Sequence, residues 1–399
     1  MREAYMVYAK RSPIGRFNGS LSSMRVDDLL AVLLKDLVSW LPFDPLLIDD
    51  TLIGCANQAG EDNRNLARMS LLLAGLPFEV PGSTINRLCG SSLDAVLSAT
   101  TTIKSGFADC LIVGGAESMT RAPYVLSKAI SPNARNQKLY DTTIGWRFPN
   151  PQMKKLFPLY NMGETALNIA KKFNIPRERQ DEFAFNSHQK ALKAQKAGAF
   201  DQEIIPVTIK RKKDEFIFSK DECPRSDTSL EKLATLSSAF DKDGSVTAGN
   251  SASINDGASI LLMVSENFLK QHKLSPLVRI TGGAVRGVHP DTMGLGPIEA
   301  TKILCKKFNK KIENFDVVEL NEAFAVQALA CMDELGLDPD KINLNGGSIA
   351  LGHPLGCSGA RITTTLTHLM KKNKKYKEGL ATMCIGVGQG IAISMENCL

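Results

Sequence analysis

One order of elements occurs twice in this chain, and it restricts the fold more than any other feature. In the first third, a helical pattern after Cys89 is followed by a buried strand over residues 111–113 and two glycines. In the last third, a helical pattern after His353 is followed by a buried strand over residues 379–384 and a glycine-rich turn. Alternating helices and strands indicate an α/β fold. The sequence therefore predicts an α/β fold, in which the repetition is faint by sequence alone.

The middle of the chain differs in character. From about residue 120 to 246 the sequence is irregular, contains proline and is rich in lysine, with a helical stretch at 180–197. This is too long for an ordinary connection and is typical of an inserted lobe. We predict an N-terminal half over 1–120 and 247–275, a loop domain over 121–246 and a C-terminal half over 276–399.

Composition narrows the class of protein. A chain of 399 residues can bury a large core in two or more units. Its nine cysteines form no CxxC pair, which favours a reducing compartment. The first residues do not resemble a signal or transit peptide, no apolar run reaches membrane-spanning length, and the last three residues are not a peroxisomal signal. We expect a cytoplasmic protein that binds no membrane, and a net charge of +6 does not suggest nucleic acid.

Cys89 is the first candidate for catalysis. A helical face follows it, formed by Leu93, Val96, Leu97 and Ile103, and Gly106 ends the pattern. The thiol therefore lies at or near a helix N-terminus, where free N–H groups and the helix dipole favour a thiolate. The dipole contributes about 0.3–1 kcal/mol, which is less than one pKa unit. A nearby base is therefore still required.

Three other segments offer partners for that thiol. His353, one of five histidines, lies in a glycine-dense loop over 346–359, where a ligand can approach the backbone closely. Cys384 ends a predicted strand and faces a tight turn. Asn321 stands where a strand leads into a helix, so its amide could donate to a reacting oxygen.

Each of these residues also has an ordinary interpretation. A lone cysteine is most often core filling, a lone loop histidine is most often structural, and Asn321 could be a helix N-cap. Their joint occurrence favours catalysis. The remaining cysteines are interpreted as structural, with no metal-ligand spacing, although one of them lies in the His353 loop; they are Cys55, Cys110, Cys223, Cys305, Cys331, Cys357 and Cys398.

At four segments the chain resembles the thiolases, the acetyl-CoA C-acyltransferases. They are the Cys89 segment, the run Asn321-Glu322-Ala323-Phe324-Ala325, the GHPxGxSG block at His353 and the CxGxGxG block at Cys384. The likeness extends from residue 12 to the final strand. It implies the thiolase fold, with duplicated halves in five αβαβα layers and a loop domain covering the coenzyme A site.

The resemblance also implies an activity. Thiolases cleave a 3-oxoacyl-CoA with CoA to acetyl-CoA and a shortened acyl-CoA, or run the reverse Claisen condensation. His353 would take the proton of Cys89, which becomes acylated, and Cys384 would exchange a proton with the α-carbon of acetyl-CoA. His353 and a water held by Asn321 would form one oxyanion hole, and the N–H groups of Cys89 and Gly386 a second. Coenzyme A is a substrate, no metal or redox cofactor is expected, and a homodimer or dimer of dimers is implied.

The substrate is less constrained. Asn161, before Met162, stands where the short-chain branch carries histidine, which disfavours a biosynthetic acetoacetyl-CoA thiolase without removing that alternative. Residues 141–148 and 386–390 look more like the β-ketoadipyl-CoA branch. Arg147 could then pair with a distal carboxylate, or it could simply brace the lobe.

Binding residues for coenzyme A are expected in two places. Met162, Ser251 and Ser253 are candidates, although the run Gly249-Asn250-Ser251-Ala252-Ser253 departs from the usual GNASG. Lysines of the inserted lobe either attract the CoA phosphates or form a solvated face; they include Lys154, Lys155, Lys171, Lys172, Lys190, Lys193, Lys196, Lys210, Lys212 and Lys213, with Arg211. Two other functions are considered. A ketoacyl synthase would lack the second catalytic cysteine, so Cys384 argues against it. A thiolase-like protein that binds CoA without catalysis is the alternative to an enzyme.

Overall fold

The computed structural model describes residues 2–129, 131–210 and 214–398. The strands in chain order are β1 (Ala4–Arg11), β2 (Gly15–Arg16), β3 (Asp50–Gly54), β4 (Ser83–Ile85), β5 (Cys110–Ser118), β6 (Tyr124–Leu126), β7 (Leu139–Asp141), β8 (Val207–Lys210), β9 (Glu215–Phe218), β10 (Asn255–Ser265), β11 (Val278–Gly287), β12 (Val317–Leu320), β13 (Glu378–Ile385) and β14 (Gln389–Asn397).

The helices in chain order are α1 (Val26–Trp40), α2 (Leu66–Ala74), α3 (Ser91–Ser105), α4 (Pro151–Leu156), α5 (Met162–Phe173), α6 (Arg177–Lys196), α7 (Leu230–Ala234), α8 (Glu266–Gln271), α9 (Gly296–Phe308), α10 (Ala325–Leu335), α11 (Ser348–Leu351) and α12 (Ser358–Lys372). Short 3₁₀ turns lie at Pro45–Leu47, Pro290–Leu295, Ile312–Asn314 and Pro339–Lys341. Among the described residues no helix is both long and apolar enough to cross a membrane.

One large mixed sheet runs through the molecule in the order β12-β13-β14-β11-β1-β10-β5-β3-β4, with β2 paired to β10. The two halves meet at β1, which pairs antiparallel with β10 on one side and β11 on the other. Parallel pairs lie towards both edges, between β3, β4 and β5 and between β12 and β13.

The contacts between helices and strands define the layers of the fold. The helices α3 and α12 contact each other and strands of both halves, so they form the middle layer. On the outer faces, α1 contacts β10, β5 and β1, α2 contacts β3 and β4, and α9 contacts β14, β11 and β13. This is the predicted five-layer αβαβα arrangement.

Two threonines of α12 are buried with their hydroxyls hydrogen-bonded. The hydroxyls of Thr363 and Thr367 each donate to the carbonyl four residues earlier, at 2.8 Å. A hydroxyl satisfied within its own helix can enter a dry layer. The buried helix therefore keeps its threonines beside Ile362 and Leu366 in the central core cluster.

The inserted region over 121–246 carries the β6–β7 and β8–β9 hairpins and the helices α4 to α7. It is tied to β1 by a buried ion cluster in which Arg11 Nε bonds to Glu203 (2.6 Å) and Arg11 Nη1 to Asp221 (2.7 Å). The domain boundaries proposed from sequence stay a prediction.

Candidate active site

The turn that carries Cys89 is strained and pinned by its neighbours. Leu88 has a φ of 47°, which residues other than glycine rarely adopt outside functional turns. Its N–H donates to Asn86 Oδ1 (2.9 Å), and its carbonyl accepts from Ser91 Oγ (2.5 Å). Because Ser91 begins α3, Cys89 is fixed directly before the first helical turn, as predicted.

The thiol of Cys89 is not a thiolate at rest. Burial raises the pKa of Cys89 to about 11, and the N–H groups of Gly386 and of Cys89 itself only partly oppose this effect. The thiol therefore keeps its proton at neutral pH. A general base is needed, and the two N–H groups are placed to stabilise negative charge at this position.

His353 offers an unprotonated ring nitrogen, Nε2, for the role of that base. Ser358 Oγ donates to Pro354 O (2.8 Å) and lies 2.6 Å from His353 Nδ1. Since the one hydroxyl hydrogen goes to Pro354, His353 Nδ1 must be the donor, which leaves Nε2 with a free lone pair. Nε2 is buried and has no hydrogen-bond partner among the described residues. Burial, with a further contribution from Arg361, lowers the pKa of His353 to about 3.

Asn321 presents its amide nitrogen in the same way. Its Oδ1 accepts from Ser348 Oγ (2.6 Å), while its Nδ2 is buried and unpartnered within the described part of the chain. Its backbone N–H donates to Thr382 O (3.0 Å), which holds it beside β13. The helix N-cap interpretation is wrong, because α10 begins at Ala325 and its N-cap is Phe324.

Cys384 lies beside Cys89 at the end of β13. It is buried, and burial raises the pKa of Cys384 well above its usual value, with Cys89 as the next contributor. Two residues later, Gly386 directs its N–H to Cys89. The structure thus brings Cys89, Cys384 and Gly386 together, with Asn321 bonded to the same strand.

A cavity of about 260 Å³ opens at Cys89. Arg147, Met162 and Gly386 line it, as does Leu355, two residues after His353. Most of its other wall residues are apolar or uncharged. The cavity is therefore a chamber for an acyl group next to a thiol.

Arg147 both braces the lobe and faces this chamber. Its Nη2 donates to Asn57 O (2.8 Å), and its Nη1 makes a longer contact of 3.4 Å with Thr142 O. A guanidinium has five N–H donors. Bracing and the binding of a carboxylate are therefore compatible at Arg147.

Ser251 and Ser253 lie elsewhere. They line a second cavity of about 400 Å³, together with Arg16 and Arg225. Ser253 Oγ donates to Asn255 Oδ1 (3.0 Å), which also accepts from the backbone N–H of His353 (2.8 Å). The second cavity therefore adjoins the His353 loop, and it shares no lining residue with the chamber at Cys89.

The lysines of the inserted lobe do not converge on one cavity. Lys190 is half-buried and donates to Ile342 O (2.9 Å), and Lys171 pairs with Asp241 at 3.8 Å. The predicted basic residues 211–213 lie outside the described residues. A role in binding CoA phosphates stays a prediction for this group.

Sequence reasoning missed a buried acidic residue in the chamber wall. Glu117 accepts from the N–H groups of Ala56 (2.9 Å), Asn57 (3.2 Å) and Gly356 (2.7 Å), and so joins the His353 loop to the turn after β3. Burial raises the pKa of Glu117 to about 7. Its ligand atom lies within 4.8 Å of those of Cys55 and Asp62, a set that could hold a metal ion. No local sequence pattern predicts these contacts, because they join residues far apart in the chain.

Two family models match the chain, the thiolase N-terminal domain over residues 4–267 and the thiolase C-terminal domain over residues 274–397. The chain therefore belongs to the thiolase family and is an acyltransferase. It catalyses the CoA-dependent cleavage of a 3-oxoacyl-CoA. The predicted family, fold and enzyme class are confirmed.

Curated relatives match along the whole chain. A β-ketoadipyl-CoA thiolase of Pseudomonas aeruginosa is 52% identical, covering 99% of both chains. A 3-oxoadipyl-CoA/3-oxo-5,6-dehydrosuberyl-CoA thiolase of Escherichia coli K12 is 51% identical, covering 99% of this chain and 100% of that one. Among solved structures, a Bacillus anthracis acetyl-CoA acetyltransferase is similar with a TM-score of 0.93 and 40% identity, covering 100% of this chain and 99% of that one.

Proposed function

We propose that this thiolase acts on a 3-oxoacyl-CoA with a carboxylate at the far end of its acyl chain, of the 3-oxoadipyl-CoA type. Relatives named for such substrates are about half identical to the chain over its full length. The chamber at Cys89 also contains a guanidinium, that of Arg147. A planar fork of N–H donors suits a carboxylate.

The cleavage begins at Cys89. Its proton passes to His353 Nε2, and the thiolate attacks the 3-oxo carbon. The oxygen of the tetrahedral intermediate accepts from the N–H groups of Cys89 and Gly386. The bond between carbons 2 and 3 then breaks, which leaves the acyl group on Cys89 and the electron pair on the acetyl-CoA enolate.

The enolate requires its own stabilisation. Its oxygen accepts hydrogen bonds from His353 Nε2, now protonated, and from Asn321 Nδ2, directly or through a water. Cys384 donates its proton to the enolate carbon and becomes a thiolate, which then takes the proton of an incoming CoA thiol. The CoA thiolate attacks the acyl carbonyl, and His353 returns its proton to the Cys89 thiolate that leaves. The observation that carries the proposal is the pair of buried atoms, His353 Nε2 and Asn321 Nδ2, which have no partner among the described residues. An unpaired buried polar group costs about 1–3 kcal/mol, and a bound enolate would supply the missing acceptor for Asn321 Nδ2 and, once it is protonated, for His353 Nε2.

The second cavity is proposed to receive the pantetheine arm, with Ser251 and Ser253 in its wall and Met162 at the chamber end. Arg16 and Arg225 add positive charge suited to a CoA ester. These steps use coenzyme A as a substrate and need no metal or redox cofactor.

A cytoplasmic homo-oligomer, a dimer or a dimer of dimers, is also proposed. The β6–β7 hairpin supports the proposal of a homo-oligomer, because it exposes the large side chains of Tyr124, Leu126 and Leu139. Light scattering of the purified chain measures the oligomeric state. A monomer at micromolar concentration would contradict this part.

The deciding assay compares CoA-dependent cleavage of 3-oxoadipyl-CoA, a medium-chain 3-oxoacyl-CoA and acetoacetyl-CoA. Cys89→Ala should abolish cleavage, whereas Cys305→Ala, at a cysteine that lines neither cavity, should not. Arg147→Met should lower kcat/KM for 3-oxoadipyl-CoA by roughly tenfold or more, the loss of a charge-assisted bond, and change acetoacetyl-CoA cleavage little. An equal loss for both substrates would assign Arg147 to bracing alone.

A further inference from the structure

Arg361 is a buried cation that is hydrogen-bonded to Asn321 through Ser348 and acts on His353 through its charge. It lies on α12 and is 1% exposed. Its Nη2 donates to Ser348 Oγ (2.7 Å), and Ser348 lies 2.6 Å from Asn321 Oδ1. Because Ser348 has one hydroxyl hydrogen, accepting from Arg361 leaves that hydrogen for Asn321. The direction of the Asn321 amide is thereby set.

Arg361 also acts on His353, since its charge adds to burial in lowering the pKa of His353. The charge is only partly neutralised. The contact of Arg361 Nη1 with Glu319 is 3.5 Å, longer than the roughly 2.7–2.9 Å of a charge-assisted hydrogen bond. Neither Arg361 Nε nor Glu319 Oε1 has a hydrogen-bond partner in the part of the chain that the structure describes.

We propose that Arg361 is a positioning residue for carbon–carbon cleavage, which orients Asn321 through Ser348 and provides a fixed positive charge for the enolate. This inference rests on the proposed function. A fixed charge in a dry site stabilises developing negative charge without reorganisation at the moment of reaction.

The two stages of the reaction should depend on Arg361 differently. Attack of the Cys89 thiolate on a carbonyl places the oxyanion at the N–H groups of Cys89 and Gly386, which Arg361 does not contact. Breaking the bond between carbons 2 and 3 places negative charge on the enolate, at His353 and Asn321. Arg361 should therefore influence carbon–carbon cleavage much more than acetylation of Cys89 by acetyl-CoA, in which no enolate forms.

Three variants test this in the full-length enzyme. Arg361→Lys keeps the charge, Arg361→Met removes it, and Glu319→Gln with Arg361→Met removes both members of the pair, so that no carboxylate is left buried alone. For each, thermal unfolding, the rate of Cys89 acetylation by acetyl-CoA, and kcat and KM for the substrate that the wild type cleaves fastest are measured.

We expect the double variant to fold and to acetylate Cys89 within about threefold of the wild-type rate. Its kcat should fall by about tenfold or more, which is a rise of about 1.4 kcal/mol in the barrier, with KM nearly unchanged. Arg361→Lys should restore most of kcat.

A wild-type kcat in the double variant, or an equal fall of kcat and acetylation, would overturn the proposal. Failure of all three variants to fold would assign Arg361 to folding alone and overturn it too. Wild-type enzyme that cleaves none of the three substrates would overturn the proposed function as well. If the wild type is active and Cys89→Ala is inactive, an unexpected result in the Arg361 variants contradicts the role of Arg361 and not the proposed function.

Discussion

At the scale of single residues, Ser358 decides which nitrogen of His353 is basic. Ser358→Ala removes the acceptor of the Nδ1 hydrogen, so the imidazole is free to carry its proton on Nε2 instead. We expect kcat to fall by roughly tenfold to a hundredfold, part of the usual contribution of a positioned base, with a small change in KM. Steady-state kinetics of 3-oxoacyl-CoA cleavage measure this.

The matched control is Ser259→Ala, which removes another buried hydroxyl, bonded to Lys10 O and Thr364 Oγ1, at a residue that lines neither cavity. It should leave kcat near the wild-type value, and Ser358→Thr should retain activity. A Ser358→Ala enzyme with wild-type kcat would show that the tautomer is fixed by other means.

His188 makes the stability of the fold depend on pH. Its Nδ1 accepts from the Arg225 N–H (3.2 Å), and burial, together with the charge of Arg225, lowers the pKa of His188 to about 4, against the opposing charge of Asp227. The unfolded chain takes up a proton near pH 6.5 and the folded chain only near pH 4. This contribution is therefore complete above pH 6.5 and is lost as the pH falls to 4.

We expect His188→Gln, which can still accept from Arg225, to lose less stability than the wild type on acidification. The difference between pH 7 and pH 4 should be about 3 kcal/mol, measured by urea unfolding at both values. A difference between the two proteins that is constant over this range would contradict the assignment.

The sequence predicted candidate reacting residues for the site but not the residues that hold them in place. The candidate reacting residues lie in short motifs whose residue types indicate their chemistry; they are Cys89, His353, Asn321 and Cys384. Arg361 acts on Asn321 across about 40 positions of sequence and through Ser348. Such contacts depend on how distant segments pack, and no local periodicity encodes them.

At the scale of elements, the close approach of α3 and α12 depends on glycine. A Cβ at Gly359 would lie 2.3 Å from the backbone nitrogen of Leu93. Gly359→Ala should push the two helices apart and destabilise the fold by about 1–3 kcal/mol, as overpacking does. Because these helices adjoin the Cys89 turn and the His353 loop, kcat should fall as well.

Urea unfolding and cleavage kinetics check this prediction. Gly287→Ala is the control, since the nearest atom to a Cβ there is 3.9 Å away, and it should change stability by less than about 0.5 kcal/mol. Equal stability of the two variants would contradict a role for the close contact.

Local patterns predicted the elements well where packing agreed with them. The helical face after Cys89 became α3, which ends at Gly106 with a φ of 83° as a glycine C-cap should. The strand after it was expected to stop before Gly114, but β5 continues to Ser118. A Cβ at Gly115 would lie 2.1 Å from Gly356 O, so the glycine serves a close approach by a distant loop that sequence spacing does not reveal.

At the scale of the whole molecule, the ion cluster at Arg11 fastens the inserted region to the layered core. Arg11, Glu203 and Asp221 are buried together. Arg11→Met leaves two carboxylates without their cation, which should destabilise the protein by about 3–5 kcal/mol. Urea unfolding of the variant measures this.

An exposed ion pair provides the comparison. Arg179 and Asp333 are bonded at 2.6 Å but remain more than 40% exposed, and Arg179→Met should cost less than about 1 kcal/mol. Similar losses in the two arginine variants would mean that burial does not decide the strength of the Arg11 cluster.

The position of β1 has a consequence during protein synthesis. The strand β1 pairs with β10 and β11, whose residues emerge from the ribosome roughly 250 positions later. At about 5–20 residues per second, β1 spends roughly 10–50 s as a hydrophobic segment without these neighbours. The centre of the molecule is thus closed late in translation, and this interval is when chaperones would have most effect on yield.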